Sequence, residues 1–410
     1  MSTASDQGAA QPIRVLVNLT WLVPGVVGGS EESTTDALRA IAADMPGDLE
    51  IHLAVLKPFL SAHPDLIEAF PHHVLASGGR NKILRVFAEQ TWLARTARSL
   101  EARVVHHAGG VVPLYHPGRI VLTIHDLQPL DLSENFSITK RTYLRLMLAR
   151  SAKAAAVICV PSEFTARRVV ALLGIARDRI RLVPWCISQP LVAHATPSAQ
   201  PASTPAPDSA VDSAELAGVS AKSFNTQSKY FLYPAVTYPH KNHLMLLEAF
   251  AQVHKDDPEV SLVLTGASGP LEGEVLTRIQ QLGLSDSVQR RGRVSQEQLD
   301  ALFDRAVAVV VPSLYEGFGL PALEAMWRGC LVIGSDRGSL PEVLRAEDLV
   351  HAEDLTAWVT AMQSVLVLTT AQRDERVKAG QLRAAAFTPE RTADALLNAY
   401  RSAGGILHEG

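Results

Sequence analysis

The chain contains 410 residues, of which 47% are hydrophobic and 20% charged, and its formal net charge is −4. A chain of this length is too long for one typical hydrophobic core, so two domains are predicted. The composition is typical of a soluble globular protein, and the small negative charge gives no support for a nucleic-acid partner. The apolar runs are too short to span a bilayer, so any membrane contact should be peripheral.

The cysteines and the N-terminus indicate a cellular compartment. Cys159, Cys186 and Cys330 are an odd number, lie far apart and sit in or beside apolar runs. They fit reduced, buried thiols better than a disulfide framework or a metal site. Residues 1–11 are small and polar, which predicts a disordered N-terminus and no secretory signal. We therefore expect a cytoplasmic protein, with peripheral contact at the inner face of the membrane left open.

Short β-branched runs alternate with helical patterns, which is the arrangement of parallel α/β sheets. The runs expected to form strands in the first half are Ile13–Leu19, Ile51–Leu56, His72–Ala76, Val104–His107, Ile120–His125, Ala156–Val160 and Ile180–Val183. Those in the second half are Tyr230–Ala235, Val260–Thr265, Val288–Gly292, Ala306–Val311, Leu331–Ser335 and Leu349–His351. The fold class predicted is α/β, with two doubly wound Rossmann-like domains.

Between the two sets of strands, residues 193–228 consist mainly of Ala, Ser, Pro and Thr. Such a segment cannot bury enough apolar surface to offset its ordering entropy, so a flexible linker is predicted. The first domain is then expected at 12–192 and the second at 229–388. The last predicted helix lies within 389–410.

Two glutamates flank a glycine-proline turn in the stretch Glu316-Gly317-Phe318-Gly319-Leu320-Pro321-Ala322-Leu323-Glu324. The stretch follows a strand-like run and opens a helix-like run from Ala322 to Arg328. Glycines let the backbone approach a ligand, and the N–H groups at a helix start bind anions. Phosphate binding beside two carboxylates that could face one polyol predicts a sugar-nucleotide site. The alternative is a capped surface helix with two solvated glutamates.

This stretch resembles the E-x7-E motif of the family-4 retaining glycosyltransferases, which have the GT-B fold. Four further segments match that family in the expected order, namely His125-Asp126-Leu127, Ser162-Glu163-Phe164, Pro239-His240-Lys241-Asn242 and Ser335-Asp336-Arg337-Gly338-Ser339-Leu340-Pro341-Glu342. The resemblance extends from the Gly28-Gly29 loop to the C-terminal helix. It implies two domains facing across a cleft, with the donor bound by the second domain and the acceptor by the first. It also implies that the last helix crosses back to the first domain.

The resemblance assigns roles to individual residues. Glu324 is expected to accept ribose hydroxyls, Glu316 to bind the transferred hexose, and His125 to hydrogen-bond that sugar. Lys241, at a predicted helix start with Asn242 as the cap, is expected to neutralise the diphosphate. The donor-binding set is Gly28, Gly29, Lys241, Phe318, Gly319, Leu320 and Glu324, and the catalytic set is His125, Glu316 and Lys241.

Simpler interpretations stay open for several of these residues. Lys241 could be a solvated surface lysine, the Gly28-Gly29 loop a plain flexible turn, and His125 a structural histidine. Many relatives carry arginines at the positions of Val236 and His240, so this chain has less fixed positive charge for phosphate. We expect the neighbouring pair His106-His107 to line the base of the cleft.

No metal and no cofactor are expected. Metal-dependent glycosyltransferases commonly use an Asp-x-Asp pair, and no two aspartates in this chain are two residues apart. Charge on the diphosphate should therefore be neutralised by Lys241, helix dipoles and backbone amides.

Two basic segments raise the question of a membrane. Residues 135–162 contain no acidic residue, and the apolar side chains Leu144, Met147 and Leu148 give them an amphipathic helix pattern. Residues 80–103 are also basic and carry Phe87 and Trp92. A surface of this kind could rest on anionic lipid beside a lipid-linked acceptor, although ordinary solvated helix faces explain it equally well.

The sequence thus predicts a retaining hexosyltransferase, with mannose as one candidate sugar, that uses a nucleoside-diphosphate sugar donor. Its acceptor would be a glycan or a lipid-linked molecule in polysaccharide or glycoconjugate biosynthesis. One alternative is a sugar-nucleotide epimerase on the same fold, which needs no acceptor. Another is a non-catalytic nucleotide-sugar-binding subunit, against which the intact Glu316, Glu324 and Lys241 argue.

Overall fold

The protein is described here by a computed structural model covering residues 11–25, 28–77, 85, 87–109, 111–132, 138–187 and 229–405, without the side chains of 138–141 and 143. The predicted linker 193–228 lies outside these residues, as does all but the last residue of the predicted N-terminal segment 1–11. No helix in the described ranges is long and apolar enough to cross a membrane.

The chain forms two compact units. Unit 1 comprises Met1–Ile187, Tyr315–Leu320 and Ala386–Gly410. Unit 2 comprises Ser188–Leu314 and Pro321–Ala385. The short segment 315–320, which contains Glu316, is therefore part of unit 1.

Unit 1 contains a seven-stranded parallel sheet in the order β3-β2-β1-β4-β5-β6-β7. Its strands are β1 Ile13–Asn18, β2 Leu49–Leu56, β3 His72–Leu75, β4 Val104–His107, β5 Arg119–Thr123, β6 Val157–Val160 and β7 Ile180–Leu182. Its helices are α1 Gly29–Ala43, α2 Phe59–Ala62, α3 Pro64–Ala69, α4 Ala94–Ser99, α5 Gln128–Asp131, α6 Ile138–Ala154 and α7 Glu163–Leu173, with a π-helical turn at Glu89–Leu93 and a 3-10 turn at Arg177–Arg179.

Unit 2 contains a six-stranded parallel sheet in the order β10-β9-β8-β11-β12-β13. Its strands are β8 Tyr230–Pro234, β9 Ser261–Thr265, β10 Val288–Gly292, β11 Ala308–Val311, β12 Leu331–Ser335 and β13 Leu349–Val350. Its helices are α8 His243–Asp256, α9 Glu272–Gln281, α10 Gln296–Arg305, α11 Leu320–Trp327, α12 Leu340–Val343, α13 Leu355–Leu366 and α14 Thr370–Ala384, with 3-10 turns at Pro239–Lys241 and Ala346–Asp348. Helix α11 starts with the last residue of segment 315–320.

Both sheets are parallel throughout their described pairs, as the alternation of strands and helices predicts. Each of the thirteen predicted runs contains a strand, and the ends differ by at most two residues. Consecutive strand residues such as Val15, Leu16 and Val17 are buried on both faces of the sheet. Helices cover both faces of a doubly wound sheet, which explains why these strands are continuous apolar runs. The α/β fold class is confirmed.

The last helix, α15 Pro389–Gly404, packs in unit 1 against α1 and the sheet. Tyr400 is buried there, and its hydroxyl lies 2.9 Å from Nδ1 of His106. The other ring nitrogen of His106 lies 2.8 Å from the hydroxyl of Thr123. Both ring nitrogens of His106 are thus engaged inside the core, so this histidine joins the helix to the sheet and is not available to a ligand.

Candidate functional site

The turn that carries Lys241 is fixed at the carboxyl ends of β8 and β11 in unit 2. The carbonyl oxygen of Lys241 accepts a hydrogen bond from the Tyr233 hydroxyl at 2.8 Å. The N–H of Leu314 donates to the carbonyl oxygen of His240 at 2.7 Å. Ligands of doubly wound domains bind at the carboxyl ends of the strands, so Lys241 has the position expected of a ligand-binding residue.

Asn242 does not cap the helix that follows, which corrects the sequence-based expectation. It adopts the left-handed conformation with φ of 58°, and its side chain makes no capping hydrogen bond. Its amide instead donates to the carbonyl oxygens of Pro312 and Ala352, each at 3.2 Å. Asparagine tolerates this backbone conformation better than most residues. It therefore ties the Lys241 turn to the loops that follow β11 and β13.

A buried arginine was missed by sequence reasoning. Arg290 in β10 is 7% exposed and forms a two-nitrogen ion pair with Glu272, with distances of 3.0 and 3.1 Å. Glu272 also accepts a hydrogen bond from the hydroxyl of Thr237 at 2.7 Å, and that hydroxyl accepts one from the N–H of Gly269 at 2.7 Å. This network joins the loops after β8 and β9. The only signal in the sequence is an arginine at a strand position where an apolar residue is usual.

The segment Tyr315–Leu320 is held within unit 1 by the start of helix α7. The hydroxyl of Ser162 donates to the carbonyl oxygen of Gly317 at 2.8 Å while capping α7 through the N–H of Thr165. The Tyr315 hydroxyl accepts a hydrogen bond from the N–H of Leu127 at 3.2 Å, and its ring packs edge-on against Phe164 at 5.2 Å. The Ser162-Glu163-Phe164 segment thus positions the first carboxylate of the predicted motif.

Glycines allow this segment to pack closely against other parts of unit 1. A β-carbon on Gly317 would lie 2.7 Å from the carbonyl oxygen of His125, and one on Gly29 would lie 2.2 Å from Cδ1 of Leu320. Gly28 precedes helix α1 with φ of 79°, which favours glycine. The Gly28-Gly29 loop, the His125 loop and segment 315–320 therefore come together in unit 1.

His125 lies two residues beyond the end of β5, not within the strand as predicted. Its ring is flanked by Trp21 and Trp185, with centroid distances of 5.5 and 5.4 Å. Neither ring nitrogen has a hydrogen-bond partner of good geometry among the described residues. Burial lowers the pKa of His125 to about 4, and the backbone of Ala108 offsets this only in part. The imidazole is therefore neutral at pH 7 and offers one donor and one acceptor.

The remaining predicted residues have the following positions. Glu316 is 9% exposed in unit 1, and Phe318 is buried between Trp185 and Phe387, at 5.9 and 5.6 Å. Gly319 has φ of 102°, and helix α11 begins directly after it, two residues earlier than predicted. Glu324 is partly buried one turn into that helix. Lys241 and Glu324 belong to unit 2, whereas His125, Glu316 and the glycine loop belong to unit 1.

No group of three or more His, Cys, Asp or Glu side chains in the described ranges is arranged to hold a metal ion. The three cysteines are free and buried, and burial raises the pKa of Cys159 and Cys330 to about 12 and that of Cys186 to about 11. Their thiols are therefore protonated at neutral pH and poor metal ligands.

Comparison with known families matches both halves of the chain. The family described as Glycosyltransferase Family 4 matches residues 27–188, and Glycosyl transferases group 1 matches residues 219–383. The two matches follow each other without overlap and include the glycine loop and the five motif segments named from the sequence. The chain is a glycosyltransferase of the family-4 type.

Individual relatives of this glycosyltransferase act on sugars. The O-antigen chain mannosyltransferase B of Escherichia coli is 27% identical over 348 residues, which is 84% of this chain and 82% of that protein. Three further curated relatives, all named as mannosyl- or glycosyltransferases, match over only 25% to 39% of their own length. Each shared segment is therefore a part of a longer protein in those cases.

Solved structures confirm the GT-B fold of this glycosyltransferase. Sucrose-phosphate synthase from Thermosynechococcus elongatus superposes with a TM-score of 0.71 at 20% identity, over 96% of this chain and all of that one. Anabaena HepE, solved with UDP and glucose, superposes with a TM-score of 0.66 at 16% identity, over 95% of this chain and all of that one. The two-domain α/β architecture is thus shared at low sequence identity.

Proposed function

We propose that the chain transfers a hexosyl group from a nucleoside-diphosphate sugar to a glycan or lipid-linked acceptor, with retention of anomeric configuration. Mannose is the first candidate sugar because the relative that matches most of the chain is named a mannosyltransferase. A nucleoside-diphosphate donor is supported by the UDP-sugar complexes of a protein with the same fold. Such a reaction belongs to polysaccharide or glycoconjugate biosynthesis.

The observation that carries this proposal is the fixed Lys241 turn at the carboxyl ends of β8 and β11. The hydrogen bond between Leu314 and His240 holds the turn beside the chain that leads directly into Glu316. A lysine ammonium held there can neutralise the donor's diphosphate and the charge that develops as it leaves. The N–H groups near Gly319 and Leu320, at the start of α11, would add to this stabilisation.

Arg290 offers the fixed positive charge that is missing at Val236 and His240. Its Nη1 is buried and has no hydrogen-bond partner among the described residues, although its other nitrogens bind Glu272. Its charge also helps to lower the pKa of His243, so it lies within electrostatic range of the helix that follows the Lys241 turn. In this proposal Arg290 adds positive charge near the bound diphosphate and Lys241 contacts the phosphate. Glu324 accepts hydrogen bonds from the ribose hydroxyls.

Unit 1 would contribute the groups that recognise the transferred sugar. A neutral His125, whose ring makes no hydrogen bond of good geometry among the described residues, can both donate to and accept from sugar hydroxyls. Glu316, positioned through Ser162 and Gly317, would accept a further hydroxyl. The leaving diphosphate would help to deprotonate the acceptor hydroxyl on the same face of the sugar, which gives retention. We propose that no metal takes part, so activity should persist in EDTA.

Thermal-shift measurements with UDP-, GDP- and ADP-hexoses test the donor class. A ligand that binds only the folded state raises its melting temperature. We expect one nucleotide class to raise the melting temperature of the wild type and to have a much smaller effect on Lys241→Ala. Equal shifts in both proteins, or no shift with any sugar nucleotide, would contradict the proposal.

A further inference from the structure

Four large apolar side chains of unit 1 are strongly exposed to water. Phe87 is 67% exposed, Leu114 70%, Tyr115 53% and Leu146 61%. Single exposed apolar residues are normal on protein surfaces, but a cluster of them marks an interaction site. The contacts that join these residues therefore decide whether they form one surface.

The loop that carries Leu114 and Tyr115 is bonded to the segment that carries Phe87. The N–H of Leu114 donates to the side-chain oxygen of Gln90 at 2.7 Å, and Gln90 lies one helical turn from Phe87. The guanidinium of Arg98, in α4, lies over the ring of Tyr115 at 5.1 Å and also donates to its hydroxyl. Phe87, Leu114, Tyr115 and Arg98 therefore share one side of unit 1.

Helix α6 joins the same side through Val112. The N–H of Val112 donates to the hydroxyl of Ser151 at 3.0 Å, and Arg150 donates to the carbonyl oxygen of Val112. Leu146 lies one turn before Arg150 on this helix, and residues four apart lie on one helical face. We call the surface formed by Phe87, Arg98, Leu114, Tyr115 and Leu146 the apolar-basic face.

The segments that carry the apolar-basic face are rich in basic residues. Residues 85–119 contain five arginines and residues 138–154 contain five lysines or arginines, against two acidic residues, Glu89 and Glu101. Glu89 lies 2.8 Å from the hydroxyl of Thr20, and burial raises its pKa. Glu101 lies just beyond the end of α4 that carries Arg98, and its carboxylate lies 3.5 Å from Arg14. Glu89 also interacts with Arg85, but the basic residues of these two segments still outnumber the acidic ones by ten to two.

The structure also corrects which residues could form such a surface. Trp92 packs against a buried cluster of the core, as does Leu148 of α6. Leu144 and Met147 are only partly exposed. The amphipathic pattern seen in the sequence therefore faces mainly inwards, and the exposed apolar residues come from three separate elements.

We propose that the apolar-basic face docks on an anionic lipid bilayer. Phe87, Leu114, Tyr115 and Leu146 would enter the interface between headgroups and acyl chains, while Arg98 and the neighbouring basic residues contact lipid phosphates. Aromatic and aliphatic side chains combined with arginines match both the apolar and the anionic layers of such a surface. A second copy of this chain has a net charge of only −4, so its surface has a much lower density of negative charge than an anionic bilayer. This docking does not depend on the proposed reaction.

Co-sedimentation of the full chain with vesicles tests the inference. Vesicles of phosphatidylcholine with phosphatidylglycerol are compared with phosphatidylcholine alone. The main variant combines Phe87→Ser, Leu114→Ser and Leu146→Ser, whose exposed side chains can change without loss of core packing. The control combines Val367→Ser and Leu382→Ser, which are 81% and 78% exposed in unit 2. A second variant, Arg98→Gln with Arg145→Gln, tests the charge, since Arg145 is exposed next to Leu146 on α6.

We expect the wild type and the control to bind the anionic vesicles, and to bind phosphatidylcholine vesicles at least about tenfold more weakly. The triple serine variant should lose most of the binding, and each lost arginine charge should weaken it roughly fivefold. Wild-type binding to neither vesicle, or equal binding by the wild type and the triple variant, would overturn the inference. The inference would also be overturned if the wild type were a dimer that binds no vesicles and the triple variant were a monomer. Transfer to a water-soluble acceptor is measured separately and should be unchanged in the triple variant, so the two proposals can fail independently.

Discussion

Gly317 lies directly against the backbone of His125, because a β-carbon on the glycine would stand 2.7 Å from the histidine's carbonyl oxygen and 3.1 Å from Cβ of Asp126. Real β-carbons do not approach backbone atoms this closely. Two segments that lie 192 residues apart in the chain, each matching a family motif, are therefore in van der Waals contact within unit 1. The contact fixes the backbone on either side of Glu316 and His125 together.

Gly317→Ala should displace this contact. We expect a loss of about 1–3 kcal/mol in unfolding free energy, as for other overpacked sites, and at least a tenfold lower kcat/KM because Glu316 moves. Urea unfolding and steady-state kinetics measure the two effects. Gly47→Ala is the matched control, since a β-carbon there meets nothing within 4 Å. Unchanged kinetics in Gly317→Ala would show that the contact does not position the site.

Ser162 makes two hydrogen bonds, one that caps α7 and one to segment 315–320, and substitutions can test them separately. Its hydroxyl accepts the N–H of Thr165 as a helix cap and donates to the carbonyl oxygen of Gly317. Ser162→Ala should lose both, with a capping cost of about 1 kcal/mol. Ser162→Asp keeps an acceptor for the cap but places a buried carboxylate, with no proton to donate, against the carbonyl oxygen of Gly317, so it should lose activity. Wild-type kcat/KM in Ser162→Asp would limit Ser162 to capping.

Lys241→Ala and Glu324→Gln should each lower kcat/KM by at least about tenfold, which corresponds to about 1.4 kcal/mol of transition-state stabilisation. The reason is their proposed contact with the diphosphate and the ribose. Both side chains are only partly buried, so the fold should survive. Lys255→Ala, which removes an exposed lysine from the end of α8 in the same unit, is the control. Wild-type kcat/KM in either variant would show that the substituted residue does not bind the donor.

His125→Ala should reduce kcat more than it raises the KM for the donor. A hydrogen bond to the sugar becomes stronger as positive charge grows at the anomeric carbon, so it stabilises the transition state more than the ground state. Since the pKa of His125 is lowered to about 4, its titration should not appear in the rate profile between pH 6 and 8. Steady-state kinetics over that range test both statements. An unchanged kcat would make His125 a structural residue.

His243 should make the folded protein less stable in mild acid. It is 1% exposed, and burial, with the charges of Arg290 and Lys241, lowers its pKa to about 3. Below pH 6.5 the unfolded chain binds a proton at this histidine and the folded chain does not, so stability falls with pH. His243→Leu removes this proton uptake. The stability of the variant relative to the wild type should therefore rise by roughly 2 kcal/mol between pH 6.5 and 5.

Urea unfolding of the wild type and His243→Leu at several pH values measures this difference. Apart from a contact with the backbone of Ala235, the ring nitrogens of His243 have no hydrogen-bond partner among the described residues, so the substitution should cost little at pH 7. His254→Leu is a suitable control, since His254 is partly exposed and lies near the end of the same helix. A stability difference that stays constant from pH 7 to 5 would contradict the assignment.

The sequence predicted the strands well because strands such as Ala308–Val311 are buried on both faces. Their sequences are therefore uninterrupted apolar, β-branched runs that can be recognised without knowledge of tertiary contacts. It also predicted that Lys241, Glu316 and the glycine loop follow strand ends. It could not predict how loops meet, because contacts such as Gly29 with Leu320 or Ser162 with Gly317 depend on tertiary packing. The residue type of Asn242 alone favours a helix cap, whereas its backbone conformation directs the side chain elsewhere.

The reaction proposed for this chain is hexosyl transfer with retention from a nucleoside-diphosphate sugar. Proton NMR of the purified chain, incubated with an α-linked nucleoside-diphosphate hexose and an acceptor, follows donor, released nucleotide and product together. We predict release of the nucleoside diphosphate and a new anomeric signal whose coupling constant shows an α-linked product. A β-linked product would contradict retention, and conversion of the donor to another sugar nucleotide without transfer would contradict the claim as a whole.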